Sequence, residues 1–129
     1  MPLMRIDLLT GRSEDELTKI LDISYRVMLG AFNAPEGDRY QLVTQHTPAE
    51  MRILDTGLGF KRSEKVIVFS LTTRPRTTEQ KQDFYHELVH QLQDQLGIAP
   101  TDVVINLTVN SDEDWSFGEG RAQFLTGEL

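Results

Sequence analysis

Val66-Ile67-Val68-Phe69-Ser70-Leu71-Thr72 is a continuous β-branched and apolar run, and it reads as a strand buried on both faces. Thr77-Thr78-Glu79-Gln80 follows as a capping box, in which a threonine and a glutamine three residues on satisfy each other's backbone donors. Phe84, Leu88, Leu92 and Leu96 then recur at helical spacing, and Gly97 supplies a natural stop. Ala99-Pro100 turns the chain into a second strand over Val103 to Val109.

The same grammar stands upstream. Leu3 to Leu9 reads as a strand, and Ser13-Glu14-Asp15-Glu16 is a capping box. Leu17, Ile20, Leu21, Tyr25, Met28, Leu29 and Phe32 form an apolar helical stripe that ends before Asn33-Ala34-Pro35. Tyr40, Leu42 and Thr44 alternate with Gln41, Val43 and Gln45 as a further strand. Ser13 matches Thr77, and Ala34-Pro35 matches Ala99-Pro100. The chain thus reads as a duplicated β-α-β unit. The expected fold is α+β: one four-stranded mixed sheet with two helices on one face, each right-handed crossover giving a parallel pair. Residues 1–129 form a single domain, with pseudo-repeats at 2–46 and 65–110 and a tail at 111–129. With both helices on one side, the other sheet face needs a cover, which points to oligomerisation. Between the repeats, Thr47 to Lys65 is long enough for one short strand or helical turn, with tight turns at Gly57 and Gly59. The tail holds Trp115, Phe117 and Phe124 among Ser, Asp and Gly, so it is expected to fold over a pocket or a neighbouring subunit.

Composition narrows the chemistry. Cysteine is absent, which excludes disulfides, thiolate metal sites and cysteine nucleophiles. A formal net charge of -7 argues against general nucleic-acid binding and leaves room for a local cluster of cations. No signal peptide and no membrane-length apolar stretch is visible, so a soluble cytoplasmic protein without membrane partners is expected.

His86-Glu87-Leu88-Val89-His90 matches the H-E-x-x-H pattern of zinc proteases. On a helical wheel both histidines fall away from the apolar stripe, beside Asp83, Gln93 and Asp94. A zincin needs them in a cleft between subdomains, and this chain is too short to build one. No metal site is expected.

Two other features carry chemistry. Pro2 follows the initiator methionine, a position where small residues let Met1 be trimmed. A free amino-terminal proline has a secondary amine that serves as base, acid or iminium-forming nucleophile. Arg74-Pro75-Arg76 stands at the carboxyl end of the Val66–Thr72 strand, where α/β sheets tend to bind ligands. Guanidinium forks there suit a small carboxylate.

The amino-terminal proline and the duplicated β-α-β build resemble the tautomerase superfamily, and within it the malonate semialdehyde decarboxylase family. The matching stretches are Asp38-Arg39-Tyr40-Gln41, Asp55-Thr56-Gly57-Leu58-Gly59, Arg74-Pro75-Arg76 with Glu79-Gln80-Lys81, Asn110-Ser111-Asp112, and Asp114-Trp115-Ser116-Phe117-Gly118 through Gly120-Arg121-Ala122 to Phe124-Leu125-Thr126-Gly127. The resemblance implies a homotrimer and a cofactor-free decarboxylation of 3-oxopropanoate to acetaldehyde and carbon dioxide, with hydratase activity on the side. It implies Pro2, Asp38, Arg74 and Arg76 as catalytic residues, the two arginines also binding the substrate carboxylate. It implies Trp115, Phe117, Phe124 and Leu129 as the hydrophobic wall. Glu119 departs from the pattern, which carries arginine between the two glycines. Pro2 can act as a cationic hydrogen-bond donor to the aldehyde or, when neutral, as an iminium-forming nucleophile. Both routes stay open at this level, and a raised amine pKa is expected from Asp38. The rival expectations are a related tautomerase, a haloacrylate dehalogenase or hydratase on another small acid, and a non-catalytic binding protein of the same fold.

Overall fold

The computed structural model describes residues 2–129. Four strands, β1 (Leu3–Leu9), β2 (Gln41–His46), β3 (Ile67–Thr73) and β4 (Val103–Val109), form one sheet in the order β2-β1-β3-β4. β1 and β2 run parallel with Met4 opposite Gln41, and β3 and β4 run parallel with Ile67 opposite Val103. The two pairs join antiparallel through β1 and β3, with Leu3 opposite Thr72. The mixed four-stranded sheet is the expected one.

Each parallel pair is bridged by a helix whose ends are written in the sequence. α1 (Glu14–Phe32) starts where the Ser13 side chain accepts the Glu16 backbone N–H, and it stops at Asn33 in the left-handed region. α2 (Thr78–Leu96) starts on a reciprocal capping box between Thr77 and Gln80 and stops at Gly97, with φ of 67°. Both helices lie on one face of the sheet. Ile20, Ile23, Val27, Met28 and Phe32 of α1 and Phe84, Leu88 and Leu92 of α2 pack on Met4, Ile6 and Leu8 of β1 and Ile67, Phe69 and Leu71 of β3. Phe32 and Phe84 meet with ring centroids 5.1 Å apart, locking the helices to each other. Side chains of this size contribute about 1.5–3 kcal/mol each when fully buried.

β3 departs from its reading as a strand buried on both faces. Ile67, Phe69, Leu71 and Thr73 are buried under the helices, but Val68, Ser70 and Thr72 are only half-buried on the far side. The period-two pleat separates the run into an apolar face and a mixed one. A single chain covers only the first.

The segment between the repeats forms no strand. Thr47 and Glu50 close one turn, the Glu50 carboxylate accepting both the backbone N–H and the hydroxyl of Thr47. Asp55 then accepts from the backbone N–H of Gly57 and Gly59, which forces a tight loop with positive φ at Thr56, Gly57 and Gly59. This loop holds Leu54 and Leu58 out at 85% and 66% exposure. Ser63 re-anchors the chain on the buried Asp102 carboxylate. No helix of the described residues is long and apolar enough to cross a membrane.

Candidate active site

The strand directions decide what meets at one edge of the sheet. β1 starts where antiparallel β3 ends, so the register continued by one residue sets buried Pro2 beside Thr73. β2 starts beside the start of β1, so the turn before β2, which carries Asp38, opens on the same edge. β4 ends beside the end of β3, and the Asn110 N–H donates to the Thr73 carbonyl at 2.9 Å. The tail therefore leaves the sheet next to Arg74.

Arg76 is held from within the fold. Its Nε donates to Thr73 Oγ1 at 3.0 Å and its Nη1 to the Phe32 carbonyl at 2.8 Å, with the guanidinium over the Phe32 ring at 5.0 Å. The Phe32 carbonyl lies in the last turn of α1, so one cation satisfies a helix-end acceptor. Arg74 is held by the tail. Its Nε donates to Asp112 Oδ1 at 2.6 Å, and its guanidinium lies over the Phe124 ring at 4.1 Å.

Asp38 is the unusual member. It is 3% exposed, and neither carboxylate oxygen has a hydrogen-bond partner among the described residues. Its turn is fixed from several sides. Asp38 N–H donates to the Pro35 carbonyl, Gly37 N–H donates to the Tyr25 hydroxyl, and Arg39 pairs with Asp22 across the Tyr25 ring. Burial raises the Asp38 pKa above the usual carboxylate range, and the Arg76 guanidinium opposes that rise. Burial lowers the Arg76 pKa, Arg74 adds to the lowering, and Asp38 counters it. A buried carboxylate without a hydrogen-bond partner carries a desolvation cost that a distant charge offsets only in part. A cation brought to it is correspondingly favoured.

Asp38, Arg74, Arg76, Phe124 and Leu129 line one cavity of 220 Å³, with Asn33, Ala34 and Pro35 from the end of α1 completing it. Trp115 and Phe117 do not line this cavity. They stand behind Phe124: Phe117 meets Phe124 edge-on at 5.5 Å, and Trp115 stacks on Phe117 at 5.4 Å. Tyr40, from the matching stretch Asp38-Arg39-Tyr40-Gln41, joins the same cluster 5.5 Å from Phe117. Glu119 is drawn away by Arg121, which pairs with it at 2.7 Å and with Glu128 at 3.0 Å on the tail's outer surface.

His86 and His90 lie exposed on α2 with parallel rings 6.4 Å apart, beside a separate, larger depression of 510 Å³ that includes neither arginine. Among the described residues no group of three or more His, Cys, Asp or Glu is placed to hold a metal ion.

Arg74, Arg76, the buried Asp38, Phe124 and Leu129 thus meet around one small cavity on a duplicated β-α-β fold. Residues 38–118 match the tautomerase enzyme family, and the chain belongs to it. It is 47% identical over 129 residues to the probable tautomerase YrdN of Bacillus subtilis (strain 168), covering 100% of both chains. Among solved structures, it is similar to malonate semialdehyde decarboxylase, at 48% identity and a TM-score of 0.96 over 98% of each chain. It is also similar to FG41 malonate semialdehyde decarboxylase inhibited by 3-bromopropiolate, at 39% identity and a TM-score of 0.94 over 98% of this chain and 97% of that one. This chain is therefore an enzyme of the tautomerase superfamily, with malonate semialdehyde decarboxylases among its structural neighbours.

Proposed function

We propose that this chain, assembled as a homotrimer, decarboxylates 3-oxopropanoate to acetaldehyde and carbon dioxide without a cofactor. The observation that carries the reading is Asp38: a buried carboxylate with no hydrogen-bond partner among the described residues, at the sheet edge where Pro2 precedes β1. Its missing partner is a cation, and the Pro2 amine freed by removal of Met1 supplies one. The decarboxylase neighbours favour this substrate, since the solved relatives at 48% and 39% identity carry that name.

In the proposed reaction Arg74 and Arg76 hold the substrate carboxylate. Cationic Pro2, kept protonated by Asp38, hydrogen-bonds the aldehyde oxygen. The bond between the carboxylate carbon and the α-carbon breaks, and its electron pair moves into the enol as the amine proton passes to oxygen. Carbon dioxide leaves, and the α-carbon takes up a proton to give acetaldehyde, so the net reaction consumes one proton. Phe124 and Leu129, backed by Phe117 and Trp115, give the departing carbon dioxide an apolar surround. Asp38 acting on a water molecule would add hydration of acetylenic or haloacrylic acids.

The trimer is supported by the sheet face that the chain leaves uncovered, where Leu42 is exposed and Val68 and Val104 are half-buried. A second reading, tautomerisation of another small oxo acid, is favoured by the name of the curated relative. That reaction needs a neutral amine as base. Product analysis by NMR with 3-oxopropanoate, 2-hydroxydienoates and 3-haloacrylates separates the two. Acetaldehyde from 3-oxopropanoate, lost in Pro2→Ala, is expected. Intact mass must show Met1 removed in the active protein; activity from a chain that retains Met1 refutes the role of Pro2.

A further inference from the structure

We propose that Asp112 is a positioning residue: together with Phe124 it fixes Arg74 so that the two terminal guanidinium nitrogens, rather than Nε, are presented to the substrate carboxylate. The inference rests on the reading above for its substrate and adds a residue to the machinery. A guanidinium has five donors in a planar fork, and how it binds a carboxylate depends on which edge is left free. In Arg74 the Nε donor is taken by Asp112 at 2.6 Å, and no described residue accepts from Nη1 or Nη2. The Phe124 ring lies against the guanidinium carbon at 4.1 Å, while the bond to Asp112 fixes the Nε edge. Two constraints in different directions leave little freedom. Arg76 is committed differently, since Nε and Nη1 both have acceptors inside the fold. Of these two arginines, Arg74 is the one whose Nη1–Nη2 edge is complete among the described residues.

Asp112 is itself well held. It opens a single 3-10 turn, Asp112–Asp114, closed by Ser111 donating its N–H and hydroxyl to Asp114 Oδ2 at 2.9 and 3.0 Å. Upstream, Asn110 is tied to the end of β3 through Thr73 and accepts the Trp115 indole N–H at 2.7 Å. A negative group here also offsets one of two like charges lining a small cavity. The tail thus does more than cover the site: Asp112 and Phe124, both on it, orient a cation that directly follows β3.

The test is a coupling experiment. Asp112→Ala and Asp112→Asn are made in the wild-type and Arg74→Ala backgrounds. Each protein is assayed for kcat and KM on 3-oxopropanoate, and for the Kd of malonate by calorimetry. Asp112→Ala is expected to lower kcat/KM about ten- to a hundredfold, chiefly through KM, because a guanidinium free to swing loses its aim. Malonate Kd should rise in step. Asp112→Asn should recover most of the loss, since its amide oxygen accepts the same Nε–H. In the Arg74→Ala background, Asp112→Ala should have no further effect. Wild-type kinetics in Asp112→Ala overturn the proposal. So does the full loss persisting without Arg74, or a wild-type chain that binds no malonate. A wild type that binds malonate but does not turn over 3-oxopropanoate refutes the decarboxylase reading alone, and the malonate constants still decide the role of Asp112.

Discussion

Asp38→Asn is expected to lower the pKa of the Pro2 amine and to pull the alkaline limb of the rate profile down with it. A free α-amino group titrates near 7.7–8.0, roughly the working pH, so its neighbours decide its charge. Asp38 is almost fully buried and has no other partner among the described residues, so its charge acts on a nearby cation with little screening by water. A unit pair in contact at about 4 Å, with an effective dielectric of about 20, is worth about 4 kcal/mol. An interaction of that size is several times thermal energy and favours the protonated amine. Burial of the amine and the Arg76 charge act against it, and the carboxylate in direct contact outweighs them, so the net shift is upward. Replacing the carboxylate with an amide removes the favourable part and leaves the opposing ones. The amine should then titrate at lower pH than in the wild type and lose its proton earlier as pH rises. The assay is kcat/KM for 3-oxopropanoate from pH 5 to 10, paired with an NMR titration of the proline amine in both proteins. Decarboxylation should weaken above neutral pH in Asp38→Asn and persist in the wild type. An amine that titrates at the same pH in both proteins refutes the reasoning, because the buried carboxylate would then exert no field on it.

Four other contacts give predictions of their own. Burial raises the Asp38 pKa and Arg76 opposes the rise, so Arg76→Gln removes the restraint and lets that pKa climb further. The acid limb of kcat/KM, set by ionisation of Asp38, should therefore move to higher pH, and a profile that stays put or moves down would contradict it. The stability linkage has the same sign. An acid whose folded pKa lies above its unfolded value contributes most below the unfolded pKa of about 3.9, and the contribution is lost as pH rises through the folded pKa. Urea unfolding at fixed protomer concentration should show that loss in the wild type and its absence in Asp38→Asn. Phe84 is fully buried between Phe32 and the sheet, so Phe84→Ala should cost about 3–5 kcal/mol in the same assay, and a cost below about 1 kcal/mol would mean the cavity collapses. Val68→Glu puts a charge on the uncovered face of central strand β3 and should convert a trimer to a monomer by light scattering; a trimer that survives has its interface elsewhere.

The parts of this molecule legible in the sequence are those fixed by local chemistry. Ser13 and Thr77 cap helices because their side chains accept the exposed N–H groups of the first turn. Asn33 and Gly97 end them because both tolerate the left-handed conformation. β1 and β4 have the expected bounds, while β2 and β3 start one residue later than the alternation suggests. Other features depend on tertiary context. A run such as Ile67–Thr73 looks uniformly apolar because threonine and serine pass as β-formers, and only the partner layer reveals which face is dry. Thr47–Lys65 lacks a strand because its hydrogen bonds are spent on Asp55, Glu50 and Asp102, side-chain acceptors whose use depends on tertiary position. At the site, Asp38, Arg74, Arg76, Phe124 and Leu129 share a cavity, but Trp115 and Phe117 stand one layer back and Asn33–Pro35 take the lining in their place. Periodicity cannot tell an aromatic that touches a ligand from one that supports it. Asp112 is visible as a letter in a tail and gains meaning only from the direction in which β4 delivers it.

That direction explains why such distant residues converge. Each β-α-β unit makes a parallel pair, so within a unit like ends lie together, and the antiparallel junction of β1 with β3 sets the start of one unit against the end of the other. Pro2 precedes β1 and Asp38 precedes β2; Arg74 follows β3 and Asp112 follows β4. All four therefore stand on the same edge of the sheet, the first pair acidic and amine-bearing, the second an arginine with its acid. Arg76 crosses between the two units, reaching back to the Phe32 carbonyl at the end of α1. A parallel β1–β3 junction would put Pro2 and Asp38 at the opposite edge from the arginines, about 20 Å away for strands of this length. The site is thus a property of the antiparallel seam between the repeats. Substitutions that loosen that seam, such as proline for Arg5 or Ser70 in the β1–β3 ladder, should disable the chemistry without touching a residue of the cavity.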